Sequence, residues 1–470
     1  MVIPPHESVH LYQSATSCAP YNIAQKEDAK TRSAQSPLVG YGVGYHAYYF
    51  HIGEENYCRQ FNTYECFRGQ TKAIAVLHQT ARGATRNTLL RYSERTPNVE
   101  SDVIFKESPM KRISFLIKPA SSLCNMRCRY CFYADVAQHR EVSSFGIMQR
   151  DVMEALIDSA LGLDDNADIT FAFQGGEPTC AGLEYFEAFT AHVACKRSNQ
   201  TIHYALQTNG YLIDRTWATF LAKHDFLVGV SLDGYRDLHD WLRPDATGSK
   251  TFSRILKAIQ ALRSAGAEFN ILTVLTAQLA KHPQQLYRFY RQHKFNYVQL
   301  IPCLPGLDDA EDEFSLTPEA FASFYKVFFR LWLKDFEQGC GMSVTLFDNV
   351  IPLFAGYPPQ QCGMLGACAP QFVVEGNGDV YPCDFYVLDR YRLGNVVHDS
   401  LEQMATCDEL HAFLVEPRRA CSECADCPFE SICHKNCKRL NIAYYREDYC
   451  GYRSFLEEAA PTMAAIARRL

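Results

Sequence analysis

The sequence predicts an α/β protein: an open partial barrel of six βα units followed by a second, cysteine-rich domain. Two observations lead to this prediction. Between residues 113 and 337, apolar runs alternate with amphipathic stretches, a pattern typical of parallel strands joined by helices. From about residue 340 the alternation gives way to cysteine-rich sequence that Gly and Pro interrupt. Six units are too few to close an eight-stranded barrel, so we expect an open one.

The individual elements follow from the period of the apolar residues. Six strands are expected, at Ile113–Lys118, Ile169–Phe173, Ile202–Gln207, Phe226–Leu232, Phe269–Leu275 and Tyr297–Pro302. Helices are expected after them or between them, at Arg150–Leu163, Leu183–Cys195, Arg215–His224, Phe252–Ala265, Pro283–His293 and Pro318–Glu337. In such sheets the active site lies at the carboxyl ends of the strands.

The same pattern divides the 470 residues into three parts, 1–109, 110–340 and 341–470. Residues 1–109 contain aromatic segments but show no sustained helical or strand period. The patterned sequence begins just after Met110, so we expect the working protein to start near this residue and residues 1–109 to be an extension or a misassigned start. A small accessory domain in this region remains an alternative.

Composition and charge exclude several classes of function. The net charge is −7, from 46 basic and 53 acidic residues, and no long basic run is present, which disfavours a nucleic-acid partner. No apolar stretch reaches the length of a membrane span, and the first residues lack the pattern of a signal peptide. We therefore expect a cytoplasmic, reducing location and no membrane association.

The 20 cysteines indicate metal or redox chemistry, because disulfides are rare in a reducing compartment. Eleven of them fall in three groups, at 124–131, 362–383 and 424–450. The first group is Cys124-x3-Cys128-x2-Cys131, directly after the first predicted strand. Three thiolates on one loop hold three irons of a [4Fe–4S] cluster and leave the fourth open to a reactant. A structural zinc site completed by His139 is the alternative.

The three-cysteine loop, with Tyr130 before its last cysteine, resembles the signature of the radical S-adenosylmethionine (radical SAM) superfamily. Gln174-Gly-Gly-Glu-Pro178, at the end of the second predicted strand, resembles the GGEP motif of that superfamily. The resemblance implies a radical SAM partial barrel that binds S-adenosylmethionine. It further implies that five positions contact this cofactor: Tyr130, Gly176, Ser231, Arg243 and Leu304.

The later cysteines resemble the SPASM extension of peptide-modifying radical SAM enzymes, which holds two auxiliary [4Fe–4S] clusters. The resemblance implies three clusters in all. The ligands that it implies for the first auxiliary cluster are Cys362, Cys368, Cys383 and Cys437. Those that it implies for the second are Cys424, Cys427, Cys433 and Cys450. Spacing alone leaves this pairing open, Cys421 is an alternative to Cys424, and zinc-ribbon sites remain a competing interpretation.

Longer matches over residues 111–456 resemble anaerobic sulfatase-maturating enzymes. They include Leu116–Ser122, Phe171–Thr179, Gln371–Glu375 and Tyr381–Asp389. The resemblance implies oxidation of a sulfatase cysteine or serine to Cα-formylglycine, with Asp384 as the general base. It also implies two partners: an unfolded sulfatase polypeptide as the substrate, and an external electron donor of the flavodoxin or ferredoxin type.

Two rival functions remain open on the sequence. Another SPASM-type enzyme would form a thioether or carbon–carbon crosslink in a precursor peptide, and it would share all three clusters. The feature that separates it from sulfatase maturation is Asp384 in its Tyr-Pro-Cys-Asp-Phe-Tyr setting. A zinc-stabilised binding protein without catalysis is the second rival, and it would contain zinc and no iron.

Overall fold

The computed structural model describes residues 112–308, 312–419 and 421–470. The expectation for residues 1–109 lies outside these ranges. Within them the sheet and the helices occur where the apolar period predicts them, with ends that differ by one or two residues.

The six predicted strands are present and parallel. They are β1 (Arg112–Ile117), β2 (Asp168–Phe173), β3 (Thr201–Thr208), β4 (Phe226–Ser231), β5 (Phe269–Leu275) and β6 (Tyr297–Pro302). They pair in sequence order, for example Ile113 with Ile169 and Ile169 with Ile202. All six carboxyl ends therefore meet at one edge of the sheet, which confirms the predicted open partial barrel.

Helices connect the strands and cover the outside of the sheet. They are α1 (Phe132–Gln138), α2 (Arg150–Leu161), α3 (Leu183–Lys196), α4 (Arg215–Lys223), α5 (Arg236–Leu242), α6 (Phe252–Ala265), α7 (Ala277–Ala280), α8 (Pro283–His293) and α9 (Pro318–Glu337). The six long helices are the predicted ones. The three short helices α1, α5 and α7 follow strand ends and have too few turns to give a periodic signal.

The cysteine-rich part adds short elements. They are β7 (Ser343–Val344), α10 (Thr345–Leu353), β8 (Val373–Val374), β9 (Asp379–Tyr381), β10 (Gly394–Asn395), α11 (Leu401–Ala405), α12 (Asp408–Val415), α13 (Glu430–Cys433), β11 (Tyr445–Arg446), β12 (Tyr449–Cys450) and α14 (Gly451–Ala467). Most have two to five residues, which is below the length at which alternation can be recognised.

The sheet of the barrel continues into the cysteine-rich part. Its ten strands have the order β10-β9-β8-β1-β2-β3-β4-β5-β6-β7. Strand β8 pairs parallel to β1, with Val373 opposite Leu116, and a hairpin then adds β9. The segment after β9, which includes Cys383 and Asp384, is thereby placed beside the carboxyl ends of β1 and β2.

The main hydrophobic core lies between this sheet and the helices outside it. Ala172 and Ala205 form a small separate cluster on the other face. Strand β2 is buried along its whole length, as expected for a central parallel strand. On one side α9 packs against the last helix, α14, where Phe321 and Tyr325 contact Phe455. No helix in the three described ranges combines the length and the apolar character that crossing a membrane requires.

Helix α14 approaches α9 so closely that its first residue must be glycine. A Cβ atom at Gly451 would lie 2.0 Å from the carbonyl oxygen of Pro318, and this backbone oxygen cannot rotate away. We predict that Gly451→Ala lowers the free energy of unfolding by about 3 kcal/mol, since overpacking here must displace a helix. Thr462→Ala, in the same helix, is the control and changes it by about 0.5 kcal/mol. Urea unfolding of both variants measures the difference, and equal stabilities would contradict the packing argument.

Candidate active site

The three-cysteine loop begins where β1 ends. Two successive turns carry the chain across the sheet edge to Cys124. Hydrogen bonds from Ser121 N–H to Lys118 O and from Leu123 N–H to Ala120 O close these turns. The loop is then fastened to the segment after β4: Arg127 N–H donates to Pro244 O, and Arg129 N–H donates to Leu242 O. Cys124, Cys128 and Cys131 are each half-buried on this loop.

Gly176 packs against the cysteine loop. A Cβ atom on Gly176 would lie 2.2 Å from Leu123 O, and the Gly176 N–H donates to Ser121 O. Only glycine permits this close approach of two backbones. Glu177, the next residue, donates its N–H to Leu123 O. The glycine motif therefore fixes the cysteine loop, in addition to the cofactor role that the sequence implies for Gly176.

The Glu177 side chain ties β2 to β3. Its buried carboxylate accepts hydrogen bonds from Thr179 Oγ1, from Thr208 Oγ1 at 2.7 Å and from Asn209 N–H at 2.7 Å. Burial raises the pKa of Glu177, and these hydrogen bonds lower it. Asn209 in turn donates to Asn125 Oδ1 at 2.8 Å. Polar side chains at two strand ends thus hold the residue that follows Cys124.

The loop thiols suit an iron–sulfur cluster by their chemistry. Burial is the largest cause that raises the pKa of Cys124 to about 12 and that of Cys128 to about 11. Both are neutral thiols at neutral pH until a metal displaces their protons. His139, the zinc ligand considered above, is partly exposed, and its Nδ1 lies 2.8 Å from Asp135 O.

The positions implied for S-adenosylmethionine lie at the carboxyl edge of the sheet. Ser231 ends β4, and Leu304 follows β6. Tyr130, which is part of the cysteine loop, forms a hydrogen bond with Arg243. Arg243 Nη1 donates to the Tyr130 hydroxyl at 2.8 Å and lies 3.6 Å from Asp233 Oδ2. The Tyr130 hydroxyl donates to the same Asp233 oxygen.

Asp233 is a site residue to which the sequence analysis assigns no role. Its buried carboxylate also accepts a hydrogen bond from Val274 N–H. Burial raises its pKa, and the Arg243 guanidinium opposes this. Among the residues that the structure describes, the buried Arg243 Nε finds no hydrogen-bond partner. A cofactor carboxylate fits this remaining donor.

Asp384 lies at the centre of a second polar cluster. Its side chain is almost fully buried, and its Oδ1 is 3.2 Å from Lys118 Nζ. Its Oδ2 accepts hydrogen bonds from the Tyr133 hydroxyl and from Gln174 Nε2, each at 2.8 Å. Lys118 Nζ also lies over the Tyr133 ring, 4.5 Å from its centre. The structure therefore joins the predicted base to residues that directly follow β1, the third cysteine and β2.

The later cysteines gather around two cavities. Cys362, Cys368, Cys383 and Cys437 line the first, which has a volume of about 500 Å³ and also includes Asp384 in its wall. Cys424, Cys427, Cys433 and Cys450 line the second, of about 400 Å³. These two sets are the two ligand sets that the SPASM resemblance implies. Cys421 is not among the residues that line the second cavity, although it is close enough to Cys424 to affect the pKa of that thiol.

The donor chemistry of both cavities fits iron–sulfur clusters, because four thiols face each enclosed space. Burial raises the pKa of Cys450 to about 12 and that of Cys383 well above its usual value. Within residues 112–308, 312–419 and 421–470, no three His, Cys, Asp or Glu side chains converge closely enough to hold a single metal ion.

Two family models match the chain. The model of the radical SAM superfamily matches residues 119–290, and that of an iron–sulfur cluster-binding domain, SPASM, matches residues 367–428. The first range contains the three-cysteine loop and the strand ends described above. The second contains four of the cysteines that line the two cavities, Cys368, Cys383, Cys424 and Cys427.

Curated relatives cover most of the chain. The cysteine-type anaerobic sulfatase-maturating enzyme of Clostridium perfringens strain 13 is 38% identical over 371 residues, which are 77% of this chain and 100% of that protein. The serine-type anaerobic sulfatase-maturating enzyme of Bacteroides thetaiotaomicron is 26% identical over 384 residues, 77% of this chain and 92% of that protein.

Solved structures also superimpose on most of the chain. Native anSMEcpe with bound AdoMet superimposes with a TM-score of 0.70 at 37% sequence identity, over 76% of this chain and 99% of that one. SuiB of Streptococcus suis bound to S-adenosylmethionine superimposes with a TM-score of 0.52 at 19% identity, over 72% of this chain and 77% of that one. The second likeness concerns the fold alone.

The assignment of eight cysteines to two sets can be tested by counting iron. Three four-iron clusters give about twelve irons per chain, and removing one ligand set's cluster leaves about eight. We predict that Cys383→Ala/Cys437→Ala, which affects one cavity, retains about eight irons, whereas Cys433→Ala/Cys437→Ala, which affects both, retains about four. Iron and acid-labile sulfide analysis of anaerobically reconstituted protein measures this. Cys340→Ala, outside both cavities, is the control, and equal losses in the two double variants would contradict the pairing.

Proposed function

The chain belongs to the family of the anaerobic sulfatase-maturating enzymes, and on this premise we propose that it oxidises a cysteine of a sulfatase polypeptide to Cα-formylglycine. It is a radical SAM enzyme whose cofactors are S-adenosylmethionine and [4Fe–4S] clusters. The observation that carries the proposal is Asp384, a buried carboxylate in the wall of a four-thiol cavity and beside the carboxyl ends of β1 and β2. Oxidation of a thiol side chain requires a proton acceptor in such a place.

Cysteine rather than serine is proposed as the substrate residue because of the relatives. Cysteine-type enzymes are 36–38% identical to the chain, and serine-type enzymes are 26% identical. A further structure, of anSMEcpe with AdoMet and the Cp18Cys peptide, shows a peptide bound to a protein 37% identical to this chain. We propose that the present enzyme likewise accepts an extended peptide, hence an unfolded sulfatase polypeptide.

The cofactors supply the removal of a hydrogen atom from Cβ of the substrate residue. For them we propose Cys124, Cys128 and Cys131 as the ligands of the radical SAM cluster, and Tyr130, Gly176, Ser231, Arg243 and Leu304 as contacts of S-adenosylmethionine. The unpartnered Arg243 Nε supports this role, since a guanidinium pairs well with the carboxylate of methionine. The protein itself binds and orients the reactants.

Asp384 accepts the thiol proton in this proposal. The Tyr133 hydroxyl and Gln174 Nε2 both donate to Oδ2, so they fix the rotation of the carboxyl group. Lys118 supplies a cation against Oδ1, without which a buried carboxylate would be strongly disfavoured. All three partners lie in the barrel, and Asp384 lies in the cysteine-rich part. The base is therefore positioned only when the two parts are packed together.

The partners and the compartment complete the proposal. We propose an external one-electron donor of the flavodoxin or ferredoxin type, since the cluster on the three-cysteine loop must be reduced before each turnover. We also propose a cytoplasmic location. No disulfide joins the cysteines in the described ranges, and a set of thiol-bound clusters requires a reducing compartment.

An anaerobic assay tests the function. Reconstituted protein, reductant and S-adenosylmethionine are mixed with a peptide that carries a Cys-x-Pro-x-Arg sequence, with the matching serine peptide in parallel. We expect the mass change of cysteine to formylglycine together with equal amounts of deoxyadenosine, and slower or no change of the serine peptide. Deoxyadenosine without any change in either peptide would contradict the proposed substrate.

The role of Asp384 is tested separately. We predict that Asp384→Asn lowers peptide oxidation by about 100-fold or more, because the amide cannot take up the thiol proton. Cleavage of S-adenosylmethionine should continue, since Asp384 has no part in it. The control is Asp389→Asn, an exposed neighbour that accepts a hydrogen bond from Glu141 N–H. A variant at 384 that still forms formylglycine at the wild-type rate would rule Asp384 out as the base.

A further inference from the structure

The first of the two four-thiol cavities has a buried lysine in its wall. The Lys438 side chain is only 5% exposed, and its Nζ donates to Phe413 O at 2.7 Å and to Glu416 Oε2 at 2.8 Å. The same Nζ lies 3.4 Å from the centre of the Phe413 ring. These contacts fix the position of the positive charge of Lys438 in the wall of the cavity. Cys437, the residue before Lys438, lines the same cavity.

A second cation, Arg418, lies near one of the thiols. Its positive charge acts on Cys368, and its Nη1 donates to His434 O at 2.7 Å. Arg418 and Lys438 both line the first cavity. Glu416 is close enough to Cys368 to oppose them electrostatically, but its side chain is 36% exposed and therefore partly screened by water.

Among the residues that line the second cavity, no cation is as deeply buried as Lys438. The lining of this cavity includes Lys435 and Arg453, but also Glu423 and Glu430. The Lys435 side chain is 47% exposed and pairs with Glu430 at 3.7 Å. Arg453 pairs with Glu457 at 3.0 Å. Opposite charges in water cancel over short distances, so the field at the second cavity is weaker.

Such charges change what a cluster can do. The reduction potential of an iron–sulfur cluster depends on nearby charge and on hydrogen bonds to its sulfur atoms. Reduction adds a negative charge, which a cation held in a poorly solvated place stabilises more than an exposed one does. A cluster next to Lys438 and Arg418 should therefore accept an electron more readily than one next to Lys435 and Arg453, whose side chains are more exposed than that of Lys438.

We propose that Lys438 and Arg418 raise the reduction potential of the first auxiliary cluster above that of the second. The inference rests on the proposed function. In that reaction the substrate loses one hydrogen atom from Cβ, one proton from sulfur to Asp384 and one electron, which gives a thioaldehyde. Water then replaces the sulfur, which leaves as hydrogen sulfide, and formylglycine results. Asp384 lines the same cavity as Lys438.

Redox titration followed by electron paramagnetic resonance tests the proposal on the holoenzyme without substrate. We expect Lys438→Met and Arg418→Gln to lower the potential of one auxiliary cluster and to leave the other unchanged. Glu416→Gln should raise the same potential, because it removes the opposing charge and keeps the hydrogen-bonding groups. Lys435→Met, at the second cavity, is the matched control and should not shift the first cluster.

The opposite shifts in potential expected for Lys438→Met and Glu416→Gln distinguish an electrostatic role of Lys438 from a structural one. A merely structural lysine would give no shift, or shifts of the same sign for Lys438→Met and Glu416→Gln, and either result would overturn the proposal. If the Lys438→Met protein fails to bind iron, the Glu416→Gln protein alone tests the proposal. An unchanged reduction potential in Glu416→Gln would then refute the proposal. The potentials do not depend on the substrate, so a wild-type protein that forms no formylglycine would refute the proposed function and leave this measurement valid.

Discussion

The ion pair between Lys118 and Asp384 is the contact on which the arrangement of the site depends. A carboxylate buried to this degree requires a cation and hydrogen-bond donors, and Asp384 obtains all of them from the barrel. Lys118 directly follows β1 and lies 266 positions before Asp384 in sequence. The pairing of β8 with β1 carries the chain back across that distance. The edge of the sheet therefore determines where the proposed base can lie.

Two further contacts join the same parts of the chain. Arg140, in the loop after α1, forms a buried ion pair with Glu375 at 2.6 Å. Arg439, two residues after Cys437, donates to the carbonyl oxygens of Pro305 and Gly306, next to Leu304. Buried charges of this kind contribute more to geometric specificity than to net stability. Each lies beside a segment that carries a site residue, so they keep the barrel and the cysteine-rich part in one relative position.

Much of the fold could be predicted because its signals are local. Strands such as Phe269–Leu275 and helices such as Phe252–Ala265 end where the apolar period ends. The two-residue strand β8 has no period, yet it determines where Asp384 lies. In the same way the spacing of Cys433 and Cys437 gave no reason to place them in different cavities. That separation depends on non-local packing, and only the family resemblance indicated it.

The sequence analysis did not identify the partners of Asp384. Lys118 and Gln174 stand in the quoted motifs, but a lysine or a glutamine at a strand end has many possible partners. The convergence of polar side chains at adjacent carboxyl ends of parallel strands could have suggested these two, but not Tyr133, which lies in a helix. Lys438 gives no comparable signal, because the rings of Phe413 and Tyr386 beside it belong to residues distant in sequence.

In the proposed reaction, one lysine lies beside the proton acceptor and a second lysine lies beside the first auxiliary cluster. Lys118 faces Asp384 from the barrel side, and Lys438 lines the cavity of Cys383 and Cys437. Cys383 and Asp384 are neighbours in the chain, so the proposed ligand and the proposed base share one backbone segment. When Asp384 takes up a proton, Lys118 loses its compensating charge. Asp384 lines the same cavity as Cys383 and Cys437, so this change of charge also acts on the proposed cluster, and the two events are coupled across a single peptide bond.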